Sequence, residues 1–173
     1  MKVTPFFSFF ILKEKVAKYI DLPLQHCNDD ILRKMNRPMN KQDTVALIQK
    51  LRQKIPGLTL RTTLISGFPT ETQEQFVELV EFVKEMKFDR LGCFAYSEEE
   101  GTVAAQMSPQ VDEKIRERRA EIIMEEQMTI MERANEKMIG KVVTVVLEGA
   151  DKLAECYFGR SEADAPDIDG KIF

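Results

Sequence analysis

The chain has 173 residues, enough for one ordinary domain or for one domain and part of another. Hydrophobic residues make up 43% and charged residues 31%, the balance of a folded globular protein, which excludes an intrinsically disordered segment. The formal net charge of −4 argues against a protein that holds nucleic acid by general phosphate neutralisation, although a local basic patch would survive that argument.

The elements follow in chain order. Residues 6–12 form an apolar run that is too short to span a bilayer and lacks a small-residue cleavage site, so it reads as a buried strand or a non-native start. Residues 19–25 (Y-I-D-L-P-L-Q) read as a strand with Pro23 near its end. Asp29 or Asp30 can cap a short helix presenting Ile31, Leu32 and Met35, which Pro38 stops. A second helix starts near Asp43, turns Val45, Leu47, Ile48, Leu51 and Ile55 inward, and closes at Pro56-Gly57.

Residues 58–65 form the next strand, followed by a tight loop, Ser66-Gly67-Phe68-Pro69. Thr72 with Gln75 has the capping-box spacing and opens a helix with Phe76, Leu79, Val80 and Val83 on one face. Residues 90–96 (R-L-G-C-F-A-Y) are apolar enough for a strand buried on both faces. Strands and helices in alternation predict βαβ units and a parallel sheet.

The rhythm then changes. A long charged helix is predicted over 111–138, with Ile115, Ile122, Met128, Met131 and Met138 as its apolar positions and Arg116, Glu117, Arg118 and Arg119 as a solvated face. The β-branched run 141–147 predicts a strand, Glu148-Gly149 a turn, and 153–158 a second strand. This is the start of a small antiparallel barrel that needs further strands to close its edge, so the C-terminal segment is expected to be incomplete.

Residues able to carry chemistry cluster where parallel strands end, the working face of a barrel. Gln25 offers amide donors and an acceptor, and His26 could bind or shuttle a proton or serve as a hydrogen-bonded structural residue. Arg61 lies in an otherwise apolar strand and needs a carboxylate, from the protein or from a ligand. Gly67 permits close approach to a backbone, and Tyr96 leads into Ser97 and three carboxylates, Glu98, Glu99 and Glu100, either a cation site or a solvated loop. The three cysteines, Cys27, Cys93 and Cys156, are too far apart for a metal site and fit a reduced cytosolic protein; no metal ligands are assigned.

Three stretches, D-L-P-L-Q-H (21–26), R-T-T-L-I-S-G-F-P-T-E-T (61–72) and F-A-Y-S-E-E-E-G-T-V-A (94–104), resemble in order and spacing the later barrel motifs of the radical-SAM methylthiotransferases. The resemblance covers residues 15–173 and implies an α/β fold: a partial (β/α) radical-SAM barrel (15–108), a linker helix (109–139) and an incomplete antiparallel β TRAM domain (140–173), with 1–14 unmatched. It implies S-adenosylmethionine and a [4Fe–4S] cluster as cofactors, and Gln25, His26, Arg61, Thr63, Gly67, Phe68 and Ser97 as residues lining the barrel mouth. Catalytic residues are not assigned by it.

The stretch 158–170 (F-G-R-S-E-A-D-A-P-D-I-D-G) is similar to the TRAM segment of the family members that modify an aspartate of a small-subunit ribosomal protein. Its carboxylates, Glu162, Asp164, Asp167 and Asp169, suit a basic protein partner better than tRNA phosphates. The family holds its cluster on a C-x-x-x-C-x-x-C motif that has no counterpart here, so the expectation is a fragment, inactive alone, of a cytoplasmic enzyme without membrane contact. The rival expectations are a fragment of a tRNA-adenosine methylthiotransferase, and a non-enzymatic module that docks on ribosomal protein or RNA.

Overall fold

The computed structural model describes residues 15–173; the apolar run at 6–12 and the rest of the unmatched segment lie outside them. Three parallel strands, β1 (Tyr19–Asp21), β2 (Thr59–Ser66) and β3 (Arg90–Ala95), form one sheet in the order β1-β2-β3. Helices α1 (Asp29–Lys34) and α2 (Lys41–Lys54) connect β1 to β2, and α3 (Gln73–Met86) connects β2 to β3. The long α4 (Glu113–Glu136) follows, and then an antiparallel pair, β4 (Val146–Asp151) and β5 (Cys156–Arg160). The α/β class, with parallel strands first and an antiparallel pair last, is the architecture expected from the sequence.

One face of the sheet carries the core. Leu60, Thr62, Leu64 and Ser66 alternate along β2 and are fully buried, so this face is dry. Against it pack Ile48 of α2, Leu79, Phe82 and Val83 of α3, and Ile123 of α4. The other face carries Arg61, Thr63 and Ile65, all partly covered. Residue Phe94, on β3, is 62% exposed, so this strand is buried on one face only, not on both. Arg90, Gly92 and Phe94 share its open face because side chains alternate in a strand.

Local signals account for the helix starts. The Thr72 hydroxyl accepts from Gln75 N–H at 3.3 Å, and the Gln75 side-chain oxygen accepts from Thr72 N–H at 2.9 Å, a complete capping box. The cap of α1 falls one residue before the predicted aspartates, and α2 starts two residues before Asp43. Asn28, not an aspartate, caps α1 by accepting from Asp30 and Ile31 N–H, and Asn40 caps α2 by accepting from Asp43 N–H. Asp29 and Asp30 occupy the first turn, where their charge meets the positive end of the helix.

The first strand is shorter than its apolar run suggests. Pro23 has no N–H to donate, and the ladder resumes only where Gln25 N–H donates to Thr63 O at 2.8 Å and Gln25 O accepts from Ile65 N–H at 2.8 Å. Gln25 takes φ +72° to rejoin the sheet.

Two predictions about the second half need correction. The buried face of α4 runs through Ala120, Ile122, Ile123, Met124, Gln127 and Ile130, so of the predicted positions Ile122 packs on the core, whereas Ile115, Met128 and Met138 are about half exposed. The C-terminal hairpin also shifts: β4 begins at Val146, and Glu148-Gly149 lies inside it. The turn falls at 152–155, where Asp151 accepts from Leu153 and Ala154 N–H.

Candidate functional site

The strand ends form a groove. Gln25 after β1, Ile65 at the end of β2 and Tyr96 after β3 converge there with Phe68, Val103 and Ala104, and the α1–α2 connection closes one side with Lys34, Met35, Asn36 and Arg37. Its volume is about 360 Å³, within the range of small-ligand sites. Phe68 and Tyr96 meet edge to face, with ring centroids 5.4 Å apart, and fix the floor. Of the motif positions expected at the mouth, Gln25 and Phe68 line this groove. Thr63 sits lower on the open sheet face, and Ser97 is exposed, donating to a Glu99 carboxylate oxygen at 3.3 Å.

Behind the groove lies a buried polar network. Glu71 is 5% exposed, and one of its carboxylate oxygens accepts from Arg119 at 2.7 Å. The other accepts from Gly67 N–H at 2.9 Å and lies 3.3 Å from His26 Nε2. The His26 contact is too poorly aligned for a hydrogen bond, so its value is electrostatic. His26 Nδ1 accepts from Asn28 N–H at 2.9 Å, which places a ring proton on Nε2, facing the carboxylate. At 1% exposure, His26 serves this network and is walled off from the groove solvent.

Arg116 and Arg119 therefore do not belong to a solvated face. Arg119 is 7% exposed and stacks on Phe76, with its guanidinium carbon 5.1 Å from the ring centroid. Arg116 donates to Tyr96 O at 2.9 Å and lies against Gly67. The close backbone approach that Gly67 permits, at φ +70°, is to α4. Sequence inspection missed these partners because they lie 20 to 49 residues apart along the chain.

At the opposite end of the sheet, an ionic cluster joins the C-terminal segment to the strands. Arg61 donates to Asp21 at 2.9 Å and lies 3.9 Å from Asp169, while Arg90 pairs with Asp164 and approaches Asp169 at 3.9 Å. The Tyr19 hydroxyl donates to Asp169 at 2.6 Å. Of the two sources considered for an Arg61 partner, the protein supplies the carboxylate. Asp164 and Asp169 are thus turned inward, and only Glu162 and Asp167 of the acidic stretch face solvent.

Two pKa shifts give this cluster a pH window. Burial, then the hydrogen bond to Asp169, push the Tyr19 phenol well above its usual range. For Asp164, burial pushes upward, but hydrogen bonds from Ser161 and Arg90 outweigh it and hold the carboxyl below its usual value. The raised phenol stabilises the fold fully below the ordinary phenol value of about 10 and progressively less above it. The depressed carboxyl stabilises fully above about pH 4 and less as pH falls further. Tyr19→Phe is therefore expected to flatten the alkaline limb of a stability–pH curve and leave the acid limb in place, as followed by urea unfolding between pH 3 and 11. An unchanged alkaline limb would mean that Tyr19 does not couple to Asp169.

The described residues do not fit an iron–sulfur cluster. Among them, no group of three or more His, Cys, Asp or Glu could hold a metal ion. Cys27 and Cys93 are buried, and burial pushes both thiols up to about 12, the reverse of what ligation to iron requires.

Comparison with known proteins agrees with this architecture. Residues 10–83 match the radical SAM superfamily and residues 139–173 match the TRAM domain. The chain is 46% identical over 160 residues to the ribosomal protein uS12 methylthiotransferase RimO of Chloroherpeton thalassium, and 50% identical over 158 residues to that of Desulforamulus reducens. In sequence the chain is similar to the radical-SAM methylthiotransferases. These alignments take in 92% and 91% of the chain but only 36% of each relative, so it spans about a third of their length. Among solved structures, coproporphyrinogen III oxidase (HemN) of Escherichia coli, a radical SAM enzyme, superposes with a TM-score of 0.52 at 23% identity, over 70% of this chain and 27% of that one. That likeness shows a shared fold. Among the described residues, no helix is long and apolar enough to cross a membrane.

Proposed function

We propose that this chain serves a cytoplasmic methylthiotransferase that modifies an aspartate of a small-subunit ribosomal protein. The observation that carries this reading is an identity of 46–50%, sustained through both the sheet and the TRAM segment, with relatives named for that protein substrate. In this reading residues 15–108 contribute the later barrel strands, 109–139 the linker helix and 140–173 the start of the TRAM domain.

S-adenosylmethionine, bound beside a [4Fe–4S] cluster, would supply the radical chemistry. Within this chain Gln25, Phe68 and Tyr96 would hold such a cofactor in the groove. The three cysteines offer no cluster ligation, so this chain by itself is expected to transfer no methylthio group.

Glu162 and Asp167 present exposed carboxylates suited to a basic partner. The purified chain should accordingly bind the small-subunit ribosomal protein more tightly than tRNA. Reversing Glu162 and Asp167 to lysine should slow association at low salt, and the effect should shrink as screening shortens to about 10 Å at 0.1 M. Stopped-flow mixing at two salt concentrations measures this. Tighter binding of tRNA by the unaltered chain would overturn the choice of partner.

A further inference from the structure

A shallow groove runs between the α3–β3 connection and the C-terminal third of α4, at the end of the sheet where the strands begin. Lys87, Arg90, Arg133 and Lys137 line it, against Asp89 as its one carboxylate. Arg90 pairs with Asp164, and the Asp89 carboxylate accepts from Leu60 N–H at 2.9 Å. Lys87, Arg133 and Lys137 are exposed, and their side chains have no ion-pair or hydrogen-bond partner among the described residues. Arg118 on the same helix, by contrast, is matched by Glu121 and Glu125. Arg133 and Lys137 stand one turn apart, about 5–6 Å between their Cβ atoms, so they act as a pair. Beyond Lys87 the cationic surface continues to Arg52, which donates to Met86 O at 2.6 Å and Lys87 O at 2.8 Å.

At about 210 Å³ the groove is too small to enclose a metabolite, so it works as a surface. Its floor is aliphatic, with Ile130 and Met131, and Phe88, the one aromatic residue lining it, is fully buried. No ring is therefore offered to a nucleobase. Unpaired cations from two elements, without a stacking platform, suit a run of phosphates read without regard to sequence. We infer that this groove is an auxiliary docking surface for the sugar–phosphate backbone of RNA, held by Lys87, Arg133 and Lys137. The choice of RNA over an acidic polypeptide rests on the proposed function above, since a ribosomal protein is met beside its RNA. The net charge of −4 is no obstacle, because these cations are gathered in one place. Three contacts give weak binding, about 10⁻⁴–10⁻⁶ M at physiological salt, as in other non-specific complexes. RNA held this way keeps the chain beside its protein partner without competing for that role.

The test follows a fluorescent RNA duplex binding to the full chain by anisotropy at several salt concentrations. Log affinity falls with log salt by about 0.7–0.9 per neutralised phosphate, so three contacts predict a slope of about −2 to −3. Arg133→Gln with Lys137→Gln should flatten that slope by about two and weaken binding at least about tenfold at the lowest salt. The melting temperature should stay unchanged, since both side chains are exposed. Lys50→Gln with Lys114→Gln removes the same charge from exposed positions outside the groove and should leave the slope in place. Equal flattening by the two pairs would mean that overall charge sets the affinity, and the docking surface would be overturned. If poly-glutamate of matched charge displaces the duplex as well as unlabelled RNA does, the groove takes acidic polypeptides and the RNA assignment falls. Glu162 and Asp167, which test the protein partner, enter none of these slopes, so the two readings fail separately.

Discussion

Truncating Glu71 to alanine is expected to cost the fold about 3–5 kcal/mol, the penalty for breaking a buried ion pair on one side only. The carboxylate receives Arg119 at 2.7 Å and Gly67 N–H at 2.9 Å, and faces His26 at 3.3 Å. Its removal leaves a guanidinium that is 7% exposed without its counter-charge, though Glu71 O and Gln73 Oε1 still accept from it, and takes away the acceptor of Gly67 N–H. Glu71→Gln should fall between, since the amide oxygen can still accept from Gly67 but the charge opposite Arg119 is gone. Arg118→Ala is the matched control: Arg118 pairs with Glu121 and Glu125 on the exposed side of the same helix, where deletion should change little. Urea unfolding of the four proteins measures the series. A loss below about 1 kcal/mol for Glu71→Ala would mean that water replaces the carboxylate and the network is not closed.

Gly67→Ala should be nearly as damaging, for a steric reason. A Cβ at this position would lie 2.3 Å from Arg116 Cγ and 2.9 Å from Arg116 Cα. The side chain could swing away, but the backbone atom can move only if α4 lifts from the sheet. Overpacking of this kind costs about 1–3 kcal/mol, and the left-handed backbone adds about 1–2 kcal/mol. Gly57→Ala separates the two contributions, since Gly57 has φ +76° with nothing within 4 Å of the added carbon. The excess loss of Gly67→Ala over Gly57→Ala, read from thermal unfolding, is the clash with α4. Equal losses would mean that α4 yields without resistance.

Sequence was most informative where the deciding physics is local. The capping box at Thr72, the strand over 58–65 and the helix break at Pro56-Gly57 are read within a few residues, and the structure has each of them to within a residue or two. The motif stretches also converge in space, since Gln25, Phe68 and Tyr96 meet at one end of the sheet. Charged residues were harder. Arg116 and Arg119 look solvated within a run of charges, and only the fold brings Glu71 and Gly67 to them. The same holds for Asp164 and Asp169, whose acidic neighbourhood suggests a partner surface until Arg90 and Tyr19 are seen beside them.

The ionic cluster between the strands and the C-terminal segment also bears on the order in which the molecule assembles. Tyr19 and Asp169 are 150 residues apart, so their hydrogen bond closes nearly the longest loop available to the described chain. Closing such a loop early would forfeit chain entropy before any compensating contact exists, whereas the β1-β2-β3 crossovers close much shorter ones. Asp164 and Asp169 also need Arg61 and Arg90 side by side in register before they have anything to grip, and that juxtaposition exists only once β2 and β3 have paired. Refolding should therefore protect the amides of β2 from hydrogen exchange before those of β5, with the C-terminal segment arriving on a template already made.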